Sequence, residues 1–132
     1  VIVLDASAAV ELLLGTSAGE AVGRRVRPQT ESLHAPHLID VEVAQVLRRY
    51  VTKGSLGDRR ARAMLRDYED LDVRRYPHDV LLPRVWQLRR NVTAYDAVYL
   101  VLAEVLSAPL LTCDAKLAAV PGHRARVELV GR

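Results

Sequence analysis

The 132-residue chain contains no phenylalanine, one tryptophan, one methionine and one cysteine. Hydrophobic residues still make up 50% of it, so a core can form without staples and must be built from Val, Leu, Ile and Ala. Cys113, being alone, excludes an intrachain disulfide and fits a reducing compartment. The histidines His34, His37, His78 and His123 lack the spacing of a zinc site. Glycine loops of the GxxxxGKS/T or GxGxxG kind are missing, which disfavours the nucleotide-binding folds that need them. Long apolar runs are missing too. Residues 1–4 meet Asp5 at once with no basic flank, unlike a signal peptide, and residues 97–111 are broken by Glu104 and Pro109. The expectation is a soluble, cytoplasmic protein with no membrane contact and a single domain over residues 1–132.

The net charge is +3, and 17 of the 19 cationic residues are arginine, the others being Lys53 and Lys116. Arginine suits bidentate contact with phosphate and stacking on bases. A biased genome composition produces the same preference without any function.

No repeat or low-complexity tract interrupts the chain. Residues 1–4 form a short apolar run of the kind that makes a buried strand. Asp5 closes it, and residues 6–14 read as a helix stopped by Gly15. Ser17 with Glu20 is a capping-box signature opening a helix to about residue 26. A strand over 32–35 leads to Pro36 and a third helix. There Val43, Val46, Leu47, Tyr50 and Val51 follow the i, i+3, i+4, i+7, i+8 spacing of one buried stripe, and Gly54 ends it. Ser55 with Asp58 signals a helix over 56–70, and 72–76 reads as a strand. Asp79 caps a helix to about residue 90, with Leu81, Leu82, Val85 and Leu88 as its apolar positions. Met64 and Trp86 lie on these two amphipathic helices and read as core or interface. Cys113 reads as packed inward. Thr93 opens a long helix through residue 106, 109–112 is an apolar strand, 114–120 a short helix and 127–130 a closing strand. Strands and helices alternate with no hairpin dipeptide between strands. The fold class is therefore an α/β sandwich around a mostly parallel sheet.

Open parallel sheets bind ligands beyond the carboxyl ends of their strands. Asp5 follows the first strand and Asp114 the strand over 109–112, so both acids fall at that edge. Neighbouring strands lie about 4.8 Å apart, and if these two pair, the two carboxylates can reach a common ion. Glu42 precedes Val43 and flanks the buried stripe of the third helix. Asp96 opens the long helix in an apolar setting between Tyr95 and Ala97. Four carboxylates brought together repel one another unless cations lie between them. Hard ions such as Mg²⁺ or Mn²⁺ suit such oxygen ligands, whereas Zn²⁺ favours His or Cys. Each acid also has a simpler explanation. Asp5 and Asp114 occupy N-cap positions, Thr93-x-x-Asp96 is a capping-box-like pattern, and Glu42 is near a helix start that favours negative charge. The two readings are compatible, since a capping carboxylate keeps lone pairs for a metal.

At these residues the chain resembles the PIN-domain nucleases, and among them the VapC-type toxins of bacterial type II toxin–antitoxin modules. The resemblance is carried by VIVLDASAAVELLL at the start, Pro36 followed by IDVEVAQVLRR, then TAYDAVYLVLAE and LLTCDAKL. In order and spacing these stretches cover essentially the whole chain. The resemblance implies a PIN-like three-layer sandwich whose five-stranded sheet has order 3-2-1-4-5, with the first and fourth strands side by side. It assigns Asp5, Glu42, Asp96 and Asp114 to one catalytic, metal-binding site, with the hydroxyls of Ser7 and Thr112 in support. Gln45 is a departure, since the family often carries Asn three residues after the helix Glu; a role for that amide stays open. The implied activity is an endoribonuclease using one or two Mg²⁺ or Mn²⁺ ions, which inhibits translation and leaves 5′-phosphate and 3′-hydroxyl ends. The implied partners are a cognate antitoxin, an RNA substrate and a second copy of the chain in a homodimer.

An acidic site repels RNA, so cations must hold the phosphates around it. Residues 48–66 contain seven basic residues and one acid, Asp58. Arg48, Arg49, Arg59, Arg60 and Arg62 are the candidate RNA contacts of this arm, with an ordinary solvated face as the alternative. Two other functions compete. A housekeeping PIN nuclease of RNA maturation or decay differs by lacking a neighbouring antitoxin gene. A receiver-like signalling module needs an acidic pair at the end of the first strand, where Asp5 is followed by Ala6 and Ser7.

Overall fold

The structure is a computed structural model, and the residues it describes are 1–131. Its sheet comprises β1 (Ile2–Leu4), β2 (Leu33–Pro36), β3 (Val73–Tyr76), β4 (Leu110–Thr112) and β5 (Val127–Leu129). They pair in the order β3-β2-β1-β4-β5, every pairing parallel, which is the order the family resemblance implied. The helices are α1 (Ala6–Leu14), α2 (Ser17–Val26), α3 (Leu38–Thr52), α4 (Asp58–Asp70), α5 (Leu82–Gln87), α6 (Ala94–Leu106) and α7 (Ala115–Ala118). A 3₁₀ turn, Asp79–Leu81, leads into α5.

The layering follows from this order and the right-handed crossover rule. The chain steps outward from β1 to β3 through α1–α4, then returns past β1 to β4 and β5 through α5–α7. The two groups of helices therefore cover opposite faces. Accordingly α1 packs on α2, α3 and α4, while α5 packs on α6. Covered on both faces, β1 consists of Ile2, Val3 and Leu4 at 0% exposure, a continuous apolar run without alternation. Residues 97–103 of α6 are all buried, as a helix apolar on every side requires. Direction reverses between β1 and β4, making their carboxyl ends the crevice where such sheets bind ligands.

The α1–α2 turn depends on two glycines. Gly15 closes α1 at φ +70°, a left-handed conformation that costs glycine little. Gly19 lies so close to α1 that a Cβ there would stand 1.9 Å from the Glu11 carbonyl oxygen.

Several local expectations need correction. Thr16, not Ser17, caps α2, its Oγ1 accepting a 3.0 Å hydrogen bond from the Gly19 amide. The helix expected from residue 56 starts at Asp58 behind Gly57, with no side-chain cap; Asp58 pairs with Arg62 instead. The helix expected over 79–90 is a 3₁₀ turn followed by a six-residue α-helix, since Pro83 in its first turn has no N–H to donate. On that short helix Leu82 is 53% exposed rather than buried. Trp86 is no core residue either, being 68% exposed with the Arg89 guanidinium 4.7 Å from its ring centre. Met64 and Cys113 are buried as expected. Among the described residues no helix is long and apolar enough to cross a membrane.

Candidate acidic site at the sheet edge

A cleft of about 430 Å³ opens over the carboxyl ends of β1 and β4. Asp5, Glu42, Asp96 and Asp114 all line it, together with Ser7, Arg49 and Tyr99. A water molecule takes up about 30 Å³, so the space admits a hydrated cation beside a phosphodiester. Residues far apart in sequence meet here because β1, β4 and the N-terminal parts of α3 and α6 share this edge.

Asp5 is the most constrained of the four. It is 5% exposed, and Val3 and Leu4 of β1 pair with Leu110 and Leu111 of β4, so Asp5 stands one step beyond, level with Thr112. Its Oδ1 accepts from the Ser7 hydroxyl at 2.7 Å and from the Ala8 amide at 2.9 Å, the latter being the N-cap of α1. Its Oδ2 accepts from the Thr112 hydroxyl at 2.6 Å. The Ser7 oxygen in turn accepts from the Cys113 amide, and the Thr112 oxygen from the Asp114 amide, both at 2.9 Å. Burial nevertheless pushes the Asp5 carboxyl up to about 6, the Asp114 charge adding to it and the three donors opposing it.

The other three acids differ in how they are held. Asp114 caps α7, its Oδ1 accepting from the Lys116 amide at 2.9 Å. Glu42 Oε1 accepts a 2.6 Å hydrogen bond from the Tyr99 hydroxyl. Burial raises the Glu42 carboxyl, and the Asp96 charge raises it further. Asp96 is also raised, by burial first and then by the Asp114 charge. The Thr93 hydroxyl accepts from the Asp96 amide at 3.3 Å, but the Asp96 carboxylate returns no bond, so the capping box is half made. Capping thus accounts for Asp5 and Asp114 and leaves Glu42 and Asp96 unexplained.

Mutual repulsion runs through the cleft from Asp5 to Asp114, to Asp96, to Glu42. Among the described residues no three His, Cys, Asp or Glu side chains converge tightly enough to hold a metal as they stand. The donor chemistry is nonetheless that of a hard divalent cation: several carboxylates, hydroxyl support and no histidine at the cleft. Among the described residues the Asp96 carboxylate takes part in no hydrogen bond, which leaves its lone pairs for an ion.

The basic arm divides. Arg49 lines the acidic cleft, within reach of the Glu42 charge. Arg48 and Arg62 instead border an apolar groove between α3 and α4, beside Leu47, Val51 and Leu65. Arg60 donates to the Leu14 carbonyl at 3.2 Å, and Arg59 is exposed and does not line the cleft. Gln45 lines the cleft, as does Glu11, an acid the sequence reading passed over. Tyr99 was also missed, although it falls three residues after Asp96 and so on the same helix face. Burial first, and then its bond to Glu42, raises the Tyr99 phenol, which keeps it protonated and a donor.

Residues 2–123 match the PIN domain family. The chain is 46% identical over 129 residues to Ribonuclease VapC12 of Mycobacterium tuberculosis, covering 98% of each chain. It is 45% identical over 129 residues to Ribonuclease VapC1 of the same organism, covering 97% of this chain and 96% of that one. Two solved structures share the fold. Mycobacterium tuberculosis VapC20, described as a sarcin-ricin loop cleaving toxin, superposes with a TM-score of 0.68 at 17% identity, over 90% of this chain and 94% of its own. A Pyrobaculum aerophilum protein superposes with a TM-score of 0.69 at 23% identity, over 96% of this chain and 81% of its own. With a matching domain model and near-full-length relatives, the chain belongs to the PIN-domain family and is a homologue of the VapC ribonucleases.

Proposed function

We propose that the protein is a toxin-type, metal-dependent endoribonuclease that cleaves RNA to inhibit translation, and that Asp5, Glu42, Asp96 and Asp114 form its active site. The observation that carries this reading is the gathering of four carboxylates, two of them with no capping role, around one cleft at the sheet's switch point. Asp5, Glu42, Asp96 and Asp114 would hold one or two Mg²⁺ or Mn²⁺ ions. Bound there, a divalent cation supplies a lowered pKa for an attacking water and positive charge for the phosphodiester. Ser7 and Thr112 fix the Asp5 carboxylate, leaving their own amide partners Cys113 and Asp114 anchored in the same network. Asp96 keeps its lone pairs for ion or water. Arg49 is the arginine of the basic arm best situated to take a substrate phosphate beside the cleft.

As a VapC homologue, the protein would be neutralised by a cognate antitoxin and act in the cytoplasm. Homodimer formation belongs to the same reading, and Val80, Leu82 and Trp86, exposed within seven residues of each other, offer apolar surface for it. The test is incubation with RNA and Mg²⁺ or Mn²⁺ with and without a chelator. Internal cleavage that stops on chelation and leaves 5′-phosphate ends is the expected result; cleavage unaffected by chelation contradicts the metal site. The housekeeping alternative is separated by whether expression arrests growth and a neighbouring gene product relieves the arrest.

A further inference from the structure

We infer that Tyr99 is a positioning residue that fixes the distance between Glu42 and Asp96 across the cleft, by holding Glu42 from the helix that carries Asp96. This inference rests on the metal-site reading above. Glu42 belongs to α3 and Asp96 to α6, and the two helices pack on largely different neighbours: α3 on α1, α4 and β2, α6 on β1, β2, β4 and α5. Nothing in that packing alone sets where a long, three-torsion Glu side chain points. The 2.6 Å bond from the Tyr99 hydroxyl to Glu42 Oε1 does so. Tyr99 is itself 1% exposed and has a ring locked by surrounding core, so it offers a rigid anchor rather than a mobile donor. Three residues apart on one helix, Asp96 and Tyr99 present one side chain directly and one through its partner to the same cleft. The bond uses Oε1 and leaves Oε2 for a ligand, as in other sites where an outer hydrogen bond orients a ligating carboxylate.

The test is a double-mutant cycle on Mn²⁺ affinity, read by electron paramagnetic resonance on the purified full chain. Tyr99→Phe keeps the buried ring and removes only the hydroxyl, and its unfolding transition is recorded alongside. Tyr99→Phe is expected to weaken Mn²⁺ binding about tenfold or more, while in a Glu42→Ala background the same substitution changes binding little. A structural effect of Tyr99 on the whole cleft gives the same loss in both backgrounds, and that result overturns the inference. Unchanged binding in Tyr99→Phe overturns it too, with the metal site intact. Failure of the unsubstituted protein to bind Mn²⁺ removes the metal-site reading itself, and the inference with it.

Discussion

Asp5 and Thr112 stand one step beyond the last paired residues of β1 and β4, and the Thr112 hydroxyl donates a 2.6 Å hydrogen bond to Asp5 Oδ2. The register therefore brings a hydroxyl, not Asp114, level with Asp5. Asp114 follows two residues later and is tied back through its amide to the Thr112 oxygen. One fully buried threonine thus links two acids whose charges oppose each other.

Thr112→Val tests that link. Valine matches the shape but leaves the Asp114 amide without its acceptor and Asp5 Oδ2 without its donor. A stability loss of about 1–3 kcal/mol is expected in urea unfolding, with Thr112→Ser close to the unsubstituted protein. A valine variant of normal stability would mean that the hydroxyl network contributes nothing.

Asp96→Asn should have opposite effects on stability with and without metal. Its carboxylate is crowded by the Asp114 charge and accepts no hydrogen bond among the described residues, so the amide is expected to raise the melting temperature of the metal-free protein slightly. The rise caused by saturating Mg²⁺ is expected to shrink, because binding to the folded state stabilises it by mass action. Calorimetry with and without Mg²⁺ measures both.

Arg49 should matter more to RNA than the outer arginines. Arg49→Ala is expected to weaken binding and to lower the slope of log K against log salt by about one. Arg59→Ala, at a residue that does not line the cleft, is expected to change the slope less. Filter binding at several salt concentrations distinguishes them, and equal effects would return the whole arm to a diffuse basic surface.

Acid sensitivity should depend on Glu104, remote from the cleft. It accepts from Arg84 through both oxygens, at 3.0 and 3.1 Å, and from the Arg124 amide. The Arg84 hydrogen bond foremost holds its carboxyl below the ordinary value of 4.5. A depressed carboxyl stabilises the fold above its unfolded value and loses that contribution as pH falls through the folded value. Glu104→Gln is therefore expected to cost about 1–3 kcal/mol at pH 7, a deficit that closes as pH falls below 4.5. A deficit independent of pH would assign the loss to packing.

Much of this fold is legible because burial writes itself into short apolar runs. Ile2, Val3 and Leu4 announce a strand covered on both faces, and Thr93 announces the start of α6. Helix starts were less legible where candidate caps adjoin: Thr16 and Ser17 both carry hydroxyls, and only backbone geometry chooses Thr16. The six residues of α5 are too few for a period to define a face, so Leu82 reads as an apolar position and Trp86 as core or interface, whereas both are exposed. At the cleft, strand ends gave Asp5 and Asp114 a common edge. Glu42 and Asp96 were joined to them through family resemblance, since spacing says nothing about two helices meeting at a distant edge. The Tyr99–Glu42 bond spans 57 residues, and no local pattern could reveal it.

RNA is expected to be cut at the acidic cleft. Single-turnover cleavage of an RNA substrate with Mg²⁺, comparing the unsubstituted protein with Asp96→Asn at matched fold and RNA binding, tests this most directly. The expected result is a rate loss of about a hundredfold or more. Cleavage at the unsubstituted rate by a folded, RNA-binding Asp96→Asn protein would contradict the assignment.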